Sequence, residues 1–560
     1  MLLSKIYGGI VFMETREFTW EPAPSKELEA YAKRFEKRVE KVTDGIYSAI
    51  GYALGNIILV VTDHGNVIID TTESMDAAQE VKKEFDLISN QPTLAVIYTH
   101  GHPDHIMGTS AFADENTEVY AHKKTLDFYK TQFLKIWPIL STRSSRQFGA
   151  YLPKGNVACS GLGPFLRSEH QEHKPFFVPP TKVFDDNLEV TIGGQKFVLV
   201  HAPGETDDQI FIWMPEKKVL FCGDNYYPSF PNLYAIRGTS PRPVHGWITS
   251  LDKMRDLGAE YLVPSHTEPI RGSERIDELL TLYRDAIQYV HDSVIRGINK
   301  GKTPDQLTEE IKLPAHFTKH IETLEIYGKV SWSVRSIFNS YLGWFDGNAT
   351  GLEPLPSAER SKRIINLAGG HQKLLNEAKS ALDRDEDQWA AEISDMLLAV
   401  NPEDSAAREI KIHALFKLGD RMYNSNGRSY YYSQAYEMLG KISFITPKAD
   451  ARSAHAVPSE SVFEMMSVYI DPVASADMVL SVGFRITDTG ERYMFKVRRG
   501  IAESRAGFPE NPSLVIDVTS NTWKEIAFGV SDPRQAFADG RMKINGDVQK
   551  LGEFISLFKL

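Results

Sequence analysis

Short apolar runs separated by polar turns characterise the first half of the chain, and runs of this kind are typical of β-strands. They lie at residues 57–62, 66–70, 94–98, 119–122, 189–192, 196–201, 210–214, 219–222 and 261–264. Apolar positions at helical spacing occur at 26–42 and 75–88. Because strands alternate with helices and end in polar loops, the pattern predicts a layered α/β domain of about 270 residues.

After residue 272 the apolar spacing becomes helical. Residues 303–306 (TPDQ) have the form of a capping box with proline at the first helical position. Residues 388–440 resemble one helical hairpin, and the polar stretch 446–460 is typical of a linker. Residues 461–560 alternate again and predict a separate α+β unit. Residues 130–175 have no clear period, which predicts a long loop-rich insertion.

Composition narrows the possible classes of protein. The chain has 560 residues, and its 63 basic and 74 acidic residues give a net charge of −11. At about 150 residues per domain, this length indicates three or four domains. The acidic balance argues against a nucleic-acid partner, and the two cysteines exclude a disulfide framework or a cysteine-rich metal site. No apolar run is long enough to predict a transmembrane helix.

The first twelve residues, MLLSKIYGGIVF, resemble a signal sequence only weakly, because they lack charged residues before the apolar run and an A-x-A site. An upstream extension before a true start at Met13 fits equally well. A cytoplasmic location is therefore favoured, and a periplasmic or secreted one is left open in case the stretch acts as a signal.

The segment that carries chemistry is residues 99–105, which read THGHPDH and directly follow an apolar strand. Imidazoles and a carboxylate packed this closely would lose solvation and repel one another when charged. A divalent cation gives a physical reason to gather them, and ligands of this kind suit zinc. A polar surface loop is the alternative, but the H-x-H-x-D-H spacing is specific enough to favour a metal.

This spacing is the signature of the metallo-β-lactamase superfamily, which the N-terminal part of the chain resembles. The resemblance implies an αββα fold, in which helices cover two packed sheets, and a dinuclear metal site at the loop ends. Further ligands are then expected in the turns after later strands. By position they are Glu205, Asp224 and His266.

The glutamate at position 205 is the discriminating feature, since most hydrolases of the superfamily carry histidine there. It resembles the alkyl sulfatase family. Segments similar to motifs of that family lie at 44–47, 51–52, 149–153, 160–163, 232–238, 327–331, 341–348 and 539–547. The resemblance implies a catalytic α/β domain over residues 1–310, an all-α dimerisation domain over 311–447 and an α+β domain like sterol carrier protein 2 over 448–560.

The resemblance also implies a hydrolase that cleaves alkyl sulfate esters to alcohol and sulfate through a metal-activated water. Two zinc ions are expected in each subunit. One would be held by His100, His102 and Glu205, the other by Asp104, His105 and His266, and Asp224 would bridge both.

An anionic, amphiphilic sulfate ester needs cationic help at such a site. Arg237 lies thirteen residues after Asp224, at the spacing of the family's sulfate-binding arginine. We therefore expect Arg237 to hold the sulfate together with Asn232 and Tyr234; a surface ion pair is the alternative role for Arg237. The expected catalytic residues are Asp104, Asp224 and Arg237.

The chain departs from the family pattern in four places. Asp224 stands where the family usually has glutamate, and Trp332 replaces a histidine thought to help hold the sulfate. The family's double glycine after the metal loop is Met107-Gly108 here, and residues 239–242 (TSPR) differ. Two alternatives stay open for this reason. One is a hydrolase of another ester, such as a phosphoester, lactone or thioester. The other is a lipid carrier with a vestigial hydrolase domain, although the complete ligand set opposes it.

Several other residues allow two readings. His201 and His122 are expected to support the site or the core rather than to bind metal, and Cys222 is expected to be a core residue. Phe148, Phe165 and Trp137 in the insertion are candidates for lining a pocket. The C-terminal unit is expected either to bind an alkyl tail or only to add stability.

A homodimer is expected through residues 310–445. The expectation rests on the family resemblance and on aromatic residues that the sequence suggests are exposed, which are Tyr430, Tyr431 and Tyr432.

Overall fold

A computed structural model describes residues 20–165, 177–444 and 450–558. The weak signal-like stretch at the N-terminus lies outside the described residues. The chain folds as two compact units. The larger one contains residues 20–128, 138–165 and 177–444, and the smaller one contains residues 129–137 and 450–558. The three domain boundaries expected from the sequence stay predictions.

Two β-sheets form the centre of the larger unit. The first has seven strands in sequential order. They are β1 (Arg38–Thr43), β2 (Ile46–Ile50), β3 (Ile57–Val61), β4 (Asn66–Ile69), β5 (Thr93–Ile97), β6 (Glu118–His122) and β7 (Lys182–Phe184). The first four strands pair antiparallel, and β4 to β7 pair parallel.

The second sheet has six strands in the order β13-β12-β11-β10-β9-β8. They are β8 (Asn187–Ile192), β9 (Gln195–His201), β10 (Ile210–Met214), β11 (Val219–Gly223), β12 (Tyr261–Pro264) and β13 (Ile270–Arg271). Only β11 and β12 pair parallel within it. The two parallel strands therefore end at the same edge, beside each other.

The core lies between the two sheets. Ile58 and Ile97 of the first sheet belong to one buried cluster with Leu199 and Phe221 of the second. On the far side of the second sheet, α6 (Val244–Arg255), α7 (Ser273–Ile298) and α9 (Val330–Leu342) bury a second cluster around Trp247. Helix α2 (Met75–Asp86) contacts β3 of the first sheet. Helices thus cover both sheets, and the predicted αββα class is confirmed.

Short helices follow the strands, and a run of longer ones completes the larger unit. The remaining α-helices are α1 (Lys26–Ala32), α3 (Pro103–Ile106), α4 (Thr125–Tyr129), α5 (Trp137–Phe148), α8 (Pro304–Glu310), α10 (Ser357–Leu367), α11 (His371–Asp383), α12 (Asp387–Val400), α13 (Ser405–Arg421) and α14 (Ser425–Met438). The predicted capping box is present, since Thr303 and Gln306 exchange side-chain and backbone hydrogen bonds at the start of α8. Neighbouring helices α11 to α14 pack in sequential pairs, as the all-α prediction requires.

The smaller unit is an α+β fold built on the five-stranded sheet β16-β15-β14-β17-β18. Its elements are α15 (Ala451–Ala456), α16 (Ser459–Val468), β14 (Val479–Ile486), β15 (Arg492–Arg498), β16 (Ile501–Ala506), β17 (Leu514–Val518), α17 (Ser520–Ala527), α18 (Pro533–Ala538), β18 (Met542–Gly546) and α19 (Val548–Ser556). Aromatic rings fill its core: Phe463 stacks on Tyr493 at 4.3 Å, and Phe484 lies 4.6 Å from Trp523.

Several local predictions are wrong. Residues 38–43 form β1 rather than continuing the first helix, because they pair in register with β2. Residues 130–148 are helical, as a π-helix (Lys130–Lys135) and α5, and are not a loop. Helix α5 gives a weak apolar signal because its buried positions include Ser141 and Gln147. Residues 451–456 of the predicted linker form α15.

Candidate metal centre

The loops after three strands bring six of the seven predicted ligands together. Residues 100–105 follow β5 of the first sheet, while Asp224 follows β11 and His266 follows β12 of the second. The imidazoles are fully or almost fully buried, with exposures of 0–5%. Since β11 and β12 are parallel neighbours, their ends deliver Asp224 and His266 to one place.

The first group of possible ligands is His100, His102 and Asp224, whose ligand atoms lie within 4.8 Å of one another. Nε2 of His100 is 2.8 Å from Nδ1 of His102 and 3.9 Å from Oδ2 of Asp224. Both nitrogens lie close enough to Oδ2 of Asp224 for one cation to contact all three residues.

The second group is Asp104, His105 and His266, again within 4.8 Å of one another. Oδ2 of Asp104 is 3.6 Å from Nε2 of His105 and 3.7 Å from Nε2 of His266. Oδ2 of Asp224 lies 3.5 Å and 3.1 Å from the same two nitrogens. One oxygen of Asp224 therefore borders both groups.

Hydrogen bonds on the outer side of the rings set the imidazole tautomers. Nδ1 of His105 donates to Oδ2 of Asp70 at 2.8 Å, and Nδ1 of His266 donates to the carbonyl of Leu54 at 2.9 Å. Nδ1 of His100 faces the hydroxyl of Thr99 at 3.1 Å. With Nδ1 protonated, these three rings present the lone pair of Nε2 to the centre, which is the arrangement that metal-binding histidines use.

Asp70 accepts several of the hydrogen bonds that surround the candidate ligands. Its carboxylate also accepts hydrogen bonds from the backbone amide and hydroxyl of Thr99 and from the hydroxyl of Ser265. Asp70 and Thr267 both have positive φ angles, 56° and 64°, which residues with a side chain adopt only when surrounding contacts hold them. The backbone is therefore shaped around the centre.

The electrostatics also suit a cation. Burial holds the pKa of His100 and of His102 well below the usual range, so both rings are neutral and able to coordinate. Burial also lowers the pKa of His105, but the carboxylates around it outweigh this and leave the pKa raised. Nε2 of His105 and Oδ1 of Asp224 are buried and have no hydrogen-bond partner among the described residues. Unpartnered buried ligand atoms of nitrogen and oxygen fit a divalent metal ion.

Glu205 lies outside both groups. Its carboxylate forms an ion pair with Arg242, and both side chains are buried. Burial raises the pKa of Glu205 to about 7, in spite of the opposing effect of Arg242. The ligand role expected for Glu205 stays a prediction.

Arg237 lies beside the first group of possible ligands, and its expected role in holding the sulfate stays a prediction. Its Nη2 lies 2.9 Å from Nε2 of His102, on the side of the ring away from His100. Its backbone is held from α5, where Gln147 accepts a hydrogen bond from the Arg237 amide and Arg143 donates to the carbonyl of Arg237. The insertion thus positions the arginine.

The other two predicted substrate-binding residues flank this segment. Asn232 is buried. Neither the oxygen nor the nitrogen of its side-chain amide has a hydrogen-bond partner in the described part of the chain. Tyr234 is half-buried. The free hydrogen-bonding capacity of Asn232 is consistent with a ligand-facing role.

An apolar cluster borders the centre. It consists of Leu54, Leu162, Tyr227 and Tyr327, with Phe148 packed against it. The ring of Tyr227 lies edge-on to His266 at 6.5 Å. Of the insertion aromatics predicted to line a pocket, Phe148 joins this wall, Phe165 is half-buried, and Trp137 belongs to the smaller unit.

Arg242 is the residue that the sequence pattern did not single out. It stands in the segment 239–242, five residues after Arg237, and is 6% exposed. A buried arginine beside a carboxylate cannot be read from local sequence, because its partner Glu205 is 37 residues away. Trp332, by contrast, packs toward α14, with its ring tip 3.3 Å from the position that a Cβ would take on Gly427.

Three family models match successive parts of the chain. Family models match residues 51–266 (metallo-beta-lactamase superfamily), 303–441 (alkyl sulfatase dimerisation) and 447–560 (alkyl sulfatase C-terminal). A linear primary-alkylsulfatase of Pseudomonas sp. (strain ATCC 19151) is 35% identical over 520 residues, which cover 89% of this chain and 98% of the relative.

The chain belongs to the alkylsulfatase family. An alkyl/aryl-sulfatase of Saccharomyces cerevisiae is 25% identical, and the alignment covers 92% of this chain and 82% of that relative. The solved structure of a stereoselective inverting sec-alkylsulfatase from Pseudomonas sp. has a TM-score of 0.87 at 24% identity, covering 94% of this chain and 85% of that one. The alkylsulfatase fold is therefore confirmed over nearly the whole chain.

Proposed function

We propose that this member of the alkylsulfatase family is a zinc-dependent enzyme that hydrolyses alkyl sulfate esters to alcohol and sulfate. One observation carries the proposal: two groups of buried ligand atoms share Oδ2 of Asp224, and Arg237 lies directly beside them. The names of the relatives support the substrate class.

We assign two zinc ions to each subunit. His100, His102 and Glu205 would hold the first, Asp104, His105 and His266 would hold the second, and Asp224 would serve both. Convergence of six of these side chains supports the assignment. For Glu205 the support is the hydrogen bond of its backbone amide to the side chain of Asn225, the residue that follows Asp224.

When bound, the two metal ions supply an acidified water and concentrated positive charge at the ester. The protein supplies the remaining interactions. Arg237 presents a planar fork of donors that matches a sulfate group, and Arg242 adds a second buried cation next to it. Asn232 and Tyr234 complete the polar contacts to the ester, and Asp104 and Asp224 act by holding the metal ions.

The wall of Leu54, Leu162, Tyr227 and Tyr327 is assigned to the first part of the alkyl chain. An apolar surface next to a cationic one suits an amphiphilic ester, because each part of the substrate is then removed from water against a matching surface.

A homodimer through residues 310–445 is the proposed assembly, supported by the match to the alkyl sulfatase dimerisation model. Of the three tyrosines expected to be exposed there, Tyr432 is fully buried, so that expectation is wrong for it, and Tyr430 and Tyr431 are half-buried. Exposed apolar side chains instead gather near the end of α9, where Tyr341 is 56% and Trp344 is 73% exposed.

The domain boundaries 1–310, 311–447 and 448–560 are proposed as well, the last domain being like sterol carrier protein 2. Its packed aromatic core favours a structural role over a tunnel for an alkyl tail. No helix in the described ranges has the length and apolar character needed to cross a membrane.

The test combines metal analysis with a substrate panel. Purified protein is expected to contain about two zinc ions per chain and to release sulfate from medium-chain primary or secondary alkyl sulfates. A panel of phosphodiesters, lactones and thioesters tests the other esters.

The variant His102→Ala should lose both zinc and activity, whereas His320→Ala, on the surface of the same unit, should keep both. Zinc-replete protein that releases no sulfate from any alkyl sulfate would falsify the proposal. If the protein hydrolyses one of the other esters and no alkyl sulfate, the proposed function becomes hydrolysis of that ester.

A further inference from the structure

Asp208 is a buried carboxylate that the proposed mechanism does not use. It lies in the turn between β9 and β10, three residues after Glu205, and is 1% exposed. No ion pair to it is formed by any lysine, arginine or histidine in the described ranges. Its neighbour Asp207, in contrast, is exposed and paired with Lys124.

Asp208 faces the middle of the metal-binding loop. A Cβ placed on Gly101, between His100 and His102, would lie 3.1 Å from Oδ2 of Asp208. On another side the same Cβ would lie 2.9 Å from the ring of Phe128, which itself packs edge-on against His102 at 5.3 Å. Gly101 is thus enclosed between a carboxylate and an aromatic ring, and a larger residue would displace one of them.

Four hydrogen-bond donors face the carboxylate. Burial raises the pKa of Asp208, while the hydroxyls of Thr206 and Thr125 and the backbone amides of Asp208 itself and of Gly101 act in the opposite direction. Among the residues that the structure describes, neither carboxylate oxygen nor either hydroxyl is in a well-aligned hydrogen bond. The donors are therefore in place but incompletely engaged.

Such a group is unfavourable for the fold alone. A carboxylate buried without a cation and without formed hydrogen bonds costs free energy that an apolar side chain of the same size would not. Buried polar groups that lack full hydrogen bonding are expected mainly at functional sites, where they serve the function at the expense of stability. The segments that meet at Asp208 are the loop of His100 and His102, the turn of Glu205, and α4, which carries Phe128.

We infer that Asp208 is a positioning residue for the metal centre: it fixes the amide of Gly101 and its charge stabilises the cation that His100 and His102 bind. This inference rests on the proposed role of those two histidines as ligands. It predicts that Asp208 lowers the stability of the metal-free fold and raises the affinity for metal.

The experiment compares wild type with Asp208→Asn and Asp208→Ala, using Asp207→Asn as the matched control one residue away. Zinc affinity is measured by competition with a chromophoric chelator, and the thermal midpoint is measured after treatment with EDTA. Substituting a group that orients a ligand typically weakens metal binding by about 10–100-fold. Both Asp208 variants should show a loss of this size with a metal-free midpoint equal to or above that of wild type, and Asp207→Asn should match wild type.

Two results would overturn the inference. If the zinc affinity of both variants stays within about two-fold of wild type, Asp208 does not contribute to metal binding. A metal-free midpoint that falls in both variants would make Asp208 a structural residue. If wild-type protein itself binds no zinc, the proposed function fails too; normal zinc binding without sulfatase activity would leave the role of Asp208 intact.

Discussion

The guanidinium of Arg242 forms an ion pair with the carboxylate of Glu205, and both side chains are only 2% exposed. Breaking a buried pair by removing one partner costs about 3–5 kcal/mol, because the other charge is left without compensation. We expect a loss of this size in the metal-free protein for Arg242→Gln and for Glu205→Gln. The double variant should lose clearly less than the sum of the two. Urea unfolding measures all three, and simple additivity would contradict the coupling.

Asp70 holds the outer nitrogen of His105 and the backbone of Thr99, so its loss should loosen the second group of ligands. Asp70→Asn is expected to weaken zinc binding by about 10–100-fold. Chelator competition provides the measurement. Asp63→Asn, in the exposed turn before β4, is the control and should bind zinc like wild type. Equal affinity of both variants would show that Asp70 does not orient His105.

Arg237→Lys should reduce kcat/KM for an alkyl sulfate by about 10-fold or more, since a lysine cannot supply two parallel charge-assisted hydrogen bonds. The zinc content should stay unchanged, because Arg237 is not a ligand. Steady-state release of sulfate is the measurement. Arg335→Lys, an exposed arginine paired with Asp305, is the control. A normal kcat/KM in Arg237→Lys would show that Arg237 does not bind the sulfate.

His122 gives a prediction for acid stability. Its ring stacks on His201 at 4.0 Å, with the carboxylate of Asp185 4.0 Å away and Lys124 nearby. Burial, reinforced by His201, lowers the pKa of His122 to about 4. The unfolded chain, with a histidine pKa near 6.5, therefore binds more protons between about pH 6.5 and 4, and stability falls as pH drops through that window.

In His122→Gln the free energy of unfolding should fall less steeply as the pH drops. The difference in slope should correspond to the uptake of at most about one proton on unfolding. Urea unfolding at pH 7, 6 and 5 tests the difference. His64→Gln, in an exposed turn, should follow wild type. Parallel pH profiles for His122→Gln and wild type would contradict the assignment.

The exposed aromatics near the end of α9 give a prediction for assembly. We expect Trp344→Ser combined with Tyr341→Ser to convert a dimer to monomer, because the change removes large apolar area from the proposed interface. Sedimentation velocity at micromolar concentration is the measurement. Val473→Ser, an 83% exposed position in the smaller unit, should remain dimeric. A monomeric wild type would refute the dimer.

Most strands could be predicted because their apolar runs are short and end at clear turns. The runs at 210–214 and 261–264 coincide with β10 and β12. The predictions of secondary structure are wrong where contacts with distant parts of the chain outweigh the local pattern of apolar and polar residues. Residues 38–43 are polar enough for a surface helix but pair with β2, and α5 is held by polar contacts such as that of Arg143 with the Arg237 carbonyl.

The sequence by itself determined which residues could bind metal and in what order they occur. It could do so because four of them lie within 100–105 and the others sit in turns at recognisable positions after strands. It also indicated the family, which the identity to a linear primary-alkylsulfatase confirmed.

Only the tertiary structure decided which atoms meet. It placed one oxygen of Asp224 between two groups of ligands, set Asp70 and the Leu54 carbonyl behind His105 and His266, and paired Glu205 with Arg242. These partners are far apart along the chain, so their contacts follow from the packing of two sheets and not from any local pattern. The charge and orientation of each ligand depend on such contacts.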